Sequence, residues 1–186
     1  MKLHIGGTIV HPDWKILNYV DGDGVDYVGT CTDLSLFADE SVDAIYMSHV
    51  LEHLTRTERA ACLLEINRVL RPDGEIYVAV PNLMALANIL FRNEGRLEVE
   101  LGVNNMLFGG EGSPEAGMYN FHKCGYTAPI LYAVLEVAGF GYVTFMDDLG
   151  IFDDASNTVY RGVRVSLNAK AKKVRRVTEP HDILFK

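Results

Sequence analysis

A chain of 186 residues with 48% hydrophobic and 23% charged residues has the length and composition of one globular domain. Its formal net charge of −8 argues against general binding of nucleic acid. The three cysteines are far apart and odd in number, which is typical of free thiols in a reducing compartment. The N-terminus shows no signal peptide, and the longest uncharged run, which includes residues 77–91, is too short to span a bilayer. We therefore expect a cytoplasmic protein without a membrane span.

Short runs rich in apolar and β-branched residues predict the strands. In chain order they are residues 2–5, 14–20, 27–30, 44–47, 75–80, 142–146 and 163–167. Apolar residues at helical spacing predict three helices, at residues 56–70, 83–93 and 127–138. The glycine-rich residues 95–125 are expected to form a long irregular loop, which is either a lid, a substrate loop or a disordered segment. The alternation of strands and helices predicts an α/β fold with a mostly parallel, doubly wound sheet covered on both faces.

The C-terminal end differs from the rest of the chain in charge. Residues 170–186 contain six Lys or Arg against two Asp or Glu, a net charge of +4, so the preceding 169 residues carry −12. We predict one domain over residues 1–169, followed by a basic C-terminal tail at 170–186. Such a tail either contacts an anionic partner or is simply solvated.

The segment of residues 43–81 carries the most informative pattern. An apolar run at residues 44–47 ends at Ser48 and His49, and a helical pattern, a Pro-Asp-Gly turn at residues 72–74 and a second β-rich run follow. This order predicts a strand–helix–strand unit. Ligands of open parallel sheets bind at the carboxyl ends of strands, so we expect the chemistry near His49.

Glycine or polar residues also follow the first three predicted strands. They are Gly6 and Gly7 after the first strand, Asn18 near the end of the second, and Asp33, with the apolar Leu34 beside it, after the third. Glycine lets a ligand approach the backbone closely, an amide can bind ribose hydroxyls, and a carboxylate can bind an adenine amino group. Each residue is a weak signal alone. Their shared position at strand ends is what indicates a nucleotide-like ligand.

Two patterns resemble metal sites. His49-x-x-Glu52-His53 spells an inverted zinc-protease motif, in which two histidines one helical turn apart share the ion. His49 falls at the predicted strand-to-helix junction and not inside a helix, so we interpret this spelling as coincidental. Residues 21–26 resemble the start of a calcium loop but have Thr32 where the acidic twelfth ligand belongs, which favours a polar turn. We therefore predict no metal site.

The central segment resembles class I S-adenosylmethionine-dependent methyltransferases. It is most similar to their small, type-11-like branch, which includes menaquinone- and ubiquinone-type methylases and many glycan-cluster methylases. The matching residues are Asp43, Ser48, Val50, Leu51, Glu52, His53, Arg68, Val69, Leu70, Pro72 and Gly74. Residues 120–123 and 135–140 also resemble that branch. The resemblance implies a seven-stranded, Rossmann-like sheet, mostly parallel with an antiparallel last strand.

The same resemblance implies roles for particular residues. Gly6 and Gly7 would face the methionine part of S-adenosylmethionine, Asn18 the ribose, Asp33 and Leu34 the adenine, and Ser48, His49 and Val50 the region near the sulfonium. The implied reaction is methyl transfer to a small-molecule or saccharide acceptor, with O-methylation as the expected chemistry. A hydroxyl acceptor needs a base, for which His122 and His49 are the candidates, whereas His53 is expected to pack or cap.

The chain also departs from that family's pattern. Its glycine loop lacks a third glycine, and Asn18 stands where an acidic ribose ligand is usual. Few residues separate Gly6 from Trp14, so a full first crossover helix does not fit. These departures motivate the alternative of a degenerate, non-catalytic protein of this fold that binds or scaffolds a partner. A homodimer is possible under either hypothesis.

Overall fold

A seven-stranded sheet forms the centre of the protein in a computed structural model that describes residues 1–110 and 120–179. The strands of this sheet are β1 (Lys2–Ile5), β2 (Trp14–Asn18), β3 (Tyr27–Val28), β4 (Val42–Ser48), β5 (Leu70–Pro81), β6 (Phe140–Met146) and β9 (Ser166–Lys173). Their spatial order is β3-β2-β1-β4-β5-β9-β6. Only β9 runs antiparallel to its two neighbours, so the predicted α/β fold is confirmed. A small hairpin of β7 (Val159–Tyr160) and β8 (Val163–Arg164) lies outside the sheet.

Residues 1–110 and 120–179 contain four α-helices, and three of them lie where the sequence predicts them. The helices are α1 (Arg56–Val69), α2 (Leu83–Arg92), α3 (Leu97–Phe108) and α4 (Ala128–Val137). At the start of α1, the Thr55 hydroxyl accepts a hydrogen bond from the main-chain N–H of Glu58, and the Glu58 carboxylate accepts one from the N–H of Thr55. This capping box ties the helix to the turn that follows β4.

The expected irregular loop at residues 95–125 is wrong in its first half, where α3 forms. Val99 and Val103 of α3 are fully buried against Leu86 and Ile89 of α2. This burial stabilises the helix despite its weak amphipathic pattern, because tertiary packing outweighs local preference. The expected lid falls partly on residues 111–119, which lie outside the described residues.

Helices α1 and α4 cover one face of the sheet with apolar side chains. Residues of both helices pack on alternate residues of the central strands in one continuous core. None of the helices in residues 1–110 and 120–179 has the length and apolar character needed to cross a bilayer.

The opposite face is covered in an unusual way. The connections between β1 and β2, β2 and β3, and β3 and β4 are fully described and contain no helix, and eight residues, 6–13, join the parallel strands β1 and β2. The segment that follows β6 covers part of this face, where the Phe152 ring packs 4.7 Å from Tyr46 and 4.1 Å from His4. On this half of the sheet a loop segment, and not a helix, therefore supplies part of the predicted cover.

Strand β9 begins later and runs further than the predicted strand at residues 163–167. It continues through Lys173, so the expected domain boundary after residue 169 falls inside the sheet. Lys170 forms an ion pair with Glu75 at 2.8 Å, and the ammonium of Lys173 is buried and donates to the Leu70 carbonyl at 2.6 Å. The long stems of these lysines explain how a basic segment can form a strand that is paired on both sides.

Candidate active site

A pocket of about 310 Å³ lies at the carboxyl ends of β1, β2 and β4. This is the edge where open parallel sheets bind ligands, and the volume is at the low end for small-molecule pockets. Four of the sequence-predicted residues line it, namely Gly6, Asn18, His49 and Val50. They come from the ends of three different strands. The structure therefore brings together residues that are far apart along the chain.

Gly6 lies where the main chain leaves β1 and turns along the pocket. Its φ of +72° belongs to the left-handed region, and a Cβ added there would lie 2.7 Å from Cγ2 of Val50 on the pocket wall. The N–H of Gly6 donates to the Leu17 carbonyl at 2.8 Å, which fixes the turn against β2. A bare backbone at this position leaves room for a ligand, so the residue fits the role that the resemblance implies.

Asn18 lies at the end of β2 with its amide already engaged. Its Nδ2 donates to the Gly7 carbonyl at 3.1 Å, and its Oδ1 accepts from the Val20 N–H at 3.2 Å. The amide therefore ties the loop after β1 to the end of β2. One amide hydrogen and one oxygen lone pair remain for a ligand.

Four of the residues predicted to bind the cofactor lie outside this pocket. A Cβ on Gly7 would lie 2.3 Å from Nδ1 of His4, so this glycine makes room for a packed histidine. Leu34 is fully buried in the core, Asp33 is exposed and accepts from the N–H two residues on, and Ser48 does not line the pocket. The loop after β3 lines the pocket with Gly29, Thr30, Cys31 and Thr32 instead.

Histidines and one carboxylate gather beside the pocket. His49 has a φ of +55°, uncommon for a residue with a side chain, and its Nδ1 lies 3.0 Å from Oε1 of the fully buried Glu52. Its Nε2 lies 3.0 Å from the Ser166 hydroxyl. The rings of His53 and His122 lie 4.8 Å apart, and burial lowers the pKa of His122. Of the two predicted base candidates, only His49 lines the pocket.

Sequence reasoning missed an ion pair at the pocket. Lys123 forms a salt bridge with Glu58 at 3.1 Å, and both residues line the pocket. Hydrogen bonds from Thr55, with help from Lys123, hold the pKa of Glu58 below its usual range. Glu58 carries no direct sequence signal beyond its position at the start of a helix, whereas Lys123 lies in a segment that resembles the methyltransferase branch.

A second, more open hollow of about 620 Å³ lies on α2 and α3. Leu90, Phe91, Leu107 and Phe108 supply much of its lining, and none of the predicted strand-end residues is there. We therefore place the candidate active site at the smaller strand-end pocket, where the polar groups converge.

Comparisons with known proteins agree with this geometry. A family model described as a methyltransferase domain matches residues 15–78, about a third of the chain. A methyltransferase structure from Methanosarcina mazei matches with a TM-score of 0.53 and 16% identity, over 93% of this chain and 92% of that one. This chain has the class I methyltransferase fold. A methyltransferase from Archaeoglobus fulgidus matches with a TM-score of 0.55 and 17% identity, over 92% and 85% of the two chains.

A third similar structure is the 1,6-didemethyltoxoflavin-N1-methyltransferase of Burkholderia thailandensis, with bound 1,6-didemethyltoxoflavin and S-adenosylhomocysteine. It matches with a TM-score of 0.53 and 15% identity, over 94% of this chain and 71% of that one. No curated protein sequence matches significantly. The family match and these similar structures agree with a Rossmann-like methyltransferase fold for this chain.

Proposed function

We propose that this methyltransferase-fold protein transfers a methyl group from S-adenosylmethionine to a hydroxyl of a small-molecule acceptor, and that the acceptor class is a saccharide. The observation that carries the proposal is the convergence of Gly6, Asn18 and His49 on one pocket from three strand ends. The saccharide rests on the resemblance to glycan-cluster methylases.

Each side of the pocket has a proposed partner on the cofactor. Gly6 would accommodate the methionine part, Asn18 would bind the ribose, and the loop at residues 29–32 would contact the adenine in place of Asp33 and Leu34. S-adenosylmethionine supplies a methyl group activated by the positive charge on its sulfur. The protein aligns the acceptor with that methyl group and excludes water.

His49 is the base that the geometry favours. The Ser166 hydroxyl donates to the Ala155 carbonyl at 2.7 Å, so it accepts from the Nε2–H of His49, and the Nδ1 that would take a proton lies 3.0 Å from Oε1 of Glu52. The Glu52 carboxylate, 3.0 Å away, would stabilise the protonated ring. In the overall reaction a carbon–oxygen bond forms as the carbon–sulfur bond breaks. The electron pair stays on sulfur, and the hydroxyl proton passes to His49.

Calorimetry with S-adenosylmethionine and S-adenosylhomocysteine tests the cofactor, and transfer of a radiolabelled methyl group to a panel of saccharides and phenols tests the acceptor. We expect both cofactor forms to bind and His49→Ala to lower turnover more than affinity. Absence of binding for both molecules at millimolar concentration would remove the enzyme proposal. Labelling of phenols but not saccharides would remove the acceptor class alone.

The alternative is a non-catalytic protein of the same fold that binds a partner. Two observations favour it: the connection from β1 to β2 has no helix whose N-terminus could face a ligand, and the Asn18 amide is already engaged. Exposed Phe91 and Phe108 on α2 and α3 would supply an apolar contact surface. A stable complex or homodimer without cofactor binding would support this alternative over methyl transfer.

A further inference from the structure

We propose that Glu52, His53 and His122 bind a divalent transition-metal ion at the edge of the candidate active site. One ligand atom from each of these residues lies within 4.8 Å of the others. Binding of the ion does not depend on the proposed function, whereas its catalytic role rests on it. This proposal revises our expectation from the sequence that the chain has no metal site.

Two separate parts of the chain form this cluster. Glu52 and His53 lie on the short 3-10 turn Leu51–His53 after β4, and His122 lies between α3 and α4. The main-chain N–H of Lys123 donates to the Glu52 carbonyl at 2.7 Å, and that of His122 donates to the Phe108 carbonyl at 3.0 Å. These hydrogen bonds hold His122 beside the turn without any ion, so the ligand set is largely formed in advance.

The hydrogen bonds of the two histidine rings leave the Nε2 atom of each ring for a metal. Nδ1 of His53 lies 3.3 Å from the Phe121 carbonyl, and Nδ1 of His122 lies 3.1 Å from the Leu107 carbonyl. A carbonyl only accepts hydrogen bonds, so each Nδ1 carries the proton and each Nε2 keeps a free lone pair. Metal-binding histidines typically donate their other ring N–H to a backbone carbonyl or carboxylate in this way.

The Glu52 carboxylate supplies an independent argument. Its side chain is 0% exposed, and within residues 1–110 and 120–179 its Oε2 has no hydrogen-bond partner. His49 lies 3.0 Å from Oε1 only. Burying an ionised carboxylate costs free energy unless a charge or several hydrogen bonds compensate it. A cation between Glu52 and the two rings would provide that compensation.

The donor set indicates which ions to expect. Two imidazole nitrogens and one carboxylate suit Zn²⁺ or Mn²⁺ better than Mg²⁺ or Ca²⁺, which prefer oxygen ligands. Three protein ligands leave at least one position open, as in catalytic zinc sites. His53 also lines the cofactor pocket, so the open position would be available to an acceptor oxygen there. A hydroxyl bound to such an ion has a lowered pKa.

The motif read from the sequence pairs the wrong histidines. The zinc-protease motif His49-x-x-Glu52-His53 would use His49 and His53 as ligands. In the structure, however, Nε2 of His49 faces Ser166 and its Nδ1 faces Glu52. In the structure His122, distant in the chain, takes the place of His49. His49 is therefore not among the proposed ligands, and its two ring nitrogens contact Ser166 and Glu52 instead.

Metal binding is tested on the full chain after stripping with a chelator. We expect Co²⁺ to give the visible absorption bands of a site with nitrogen ligands, Zn²⁺ to displace it, and calorimetry to give about one ion per chain. His122→Ala and Glu52→Gln should weaken Zn²⁺ binding by roughly 100-fold or more, because each removes a ligand. His11→Ala, which removes a histidine outside the cluster, should leave it unchanged.

Thermal melting of each variant checks that it is folded. If His122→Ala does not fold, His122→Asn takes its place in the binding measurements. Absent cobalt bands, or equal weakening by His11→Ala, would overturn the metal site. S-adenosylmethionine binding is measured in parallel on the same preparations. Cofactor binding without metal binding would refute only this inference, whereas metal binding without cofactor binding would refute only the proposed function.

Discussion

Replacing Gly6 with alanine should damage both the fold and the pocket, whereas the same change at Gly162 should affect stability alone. The two glycines have nearly the same backbone, with φ of +72° and +76°. A Cβ costs roughly 1–2 kcal/mol at such a φ. At Gly6 the new atom would also lie 2.7 Å from Cγ2 of Val50, whereas at Gly162 it would meet nothing within 4 Å.

The close contact sets the difference between the two variants. Val50 is β-branched and has little rotamer freedom, so relieving the overlap costs roughly a further 1–3 kcal/mol. We therefore expect Gly6→Ala to lower the free energy of unfolding by roughly 2–5 kcal/mol and Gly162→Ala by roughly 1–2 kcal/mol. Urea unfolding with a common slope measures both values.

The pocket supplies the second readout. Gly6→Ala would place a methyl group beside Val50 on the wall, so we expect the affinity for S-adenosylmethionine to fall by at least about tenfold, or about 1.4 kcal/mol. Gly162 lies outside the pocket, and its variant should bind like the wild type. Calorimetry is done at a temperature where both variants are folded. Unchanged binding by Gly6→Ala would show that the cofactor does not pass this glycine, and equal destabilisation would refute the argument from the Val50 contact.

Three further predictions concern stability. Burial lowers the pKa of His4 to about 4, so the folded state resists a proton that the unfolded chain takes up near pH 6.5. Stability should be fully present above pH 6.5 and fall by about 3 kcal/mol towards pH 4, and His4→Phe should flatten this part of the pH profile. Asn67→Ala should cost about 3 kcal/mol in urea unfolding because the buried amide makes three hydrogen bonds to the main chain, and a loss below about 1 kcal/mol would contradict this. Thr55→Ala should cost about 1 kcal/mol through the lost capping box, whereas Thr57→Ala, inside α1, should cost less.

The elements that the sequence predicts well are those whose signals are local. Helix α1 has apolar residues at helical spacing, a capping threonine and a proline just past its end, so its bounds follow within one residue. Helix α3 lacks such signals, and its apolar residues become informative only when α2 packs against them. Strand β9 was missed in part because Lys170 and Lys172 indicate a solvated tail, and nothing local shows that a strand pairs on either side.

The same contrast between local signals and contacts of distant elements applies to the candidate site. Gly6, Asn18 and His49 are recognisable because strand ends share one edge of a parallel sheet, which is a property of the fold class. Whether a residue near that edge faces the ligand depends on the direction of its side chain. Leu34 follows the third strand as predicted but is fully buried in the core, and the residues just before it reach the pocket.

The sequence by itself determined the class of fold and indicated the strand end where we propose the active site, because periodicity, caps and the elbow at His49 are encoded by neighbouring residues. Only the tertiary structure decided the composition of the site. It brings His122 beside Glu52 and His53 through hydrogen bonds between distant segments. It also places Gly7 directly against the His4 ring. In addition, it covers part of one face of the sheet with the Phe152 segment, where the connections between β1 and β4 contain no helix. These features depend on long-range contacts and side-chain directions, which a sequence pattern does not specify.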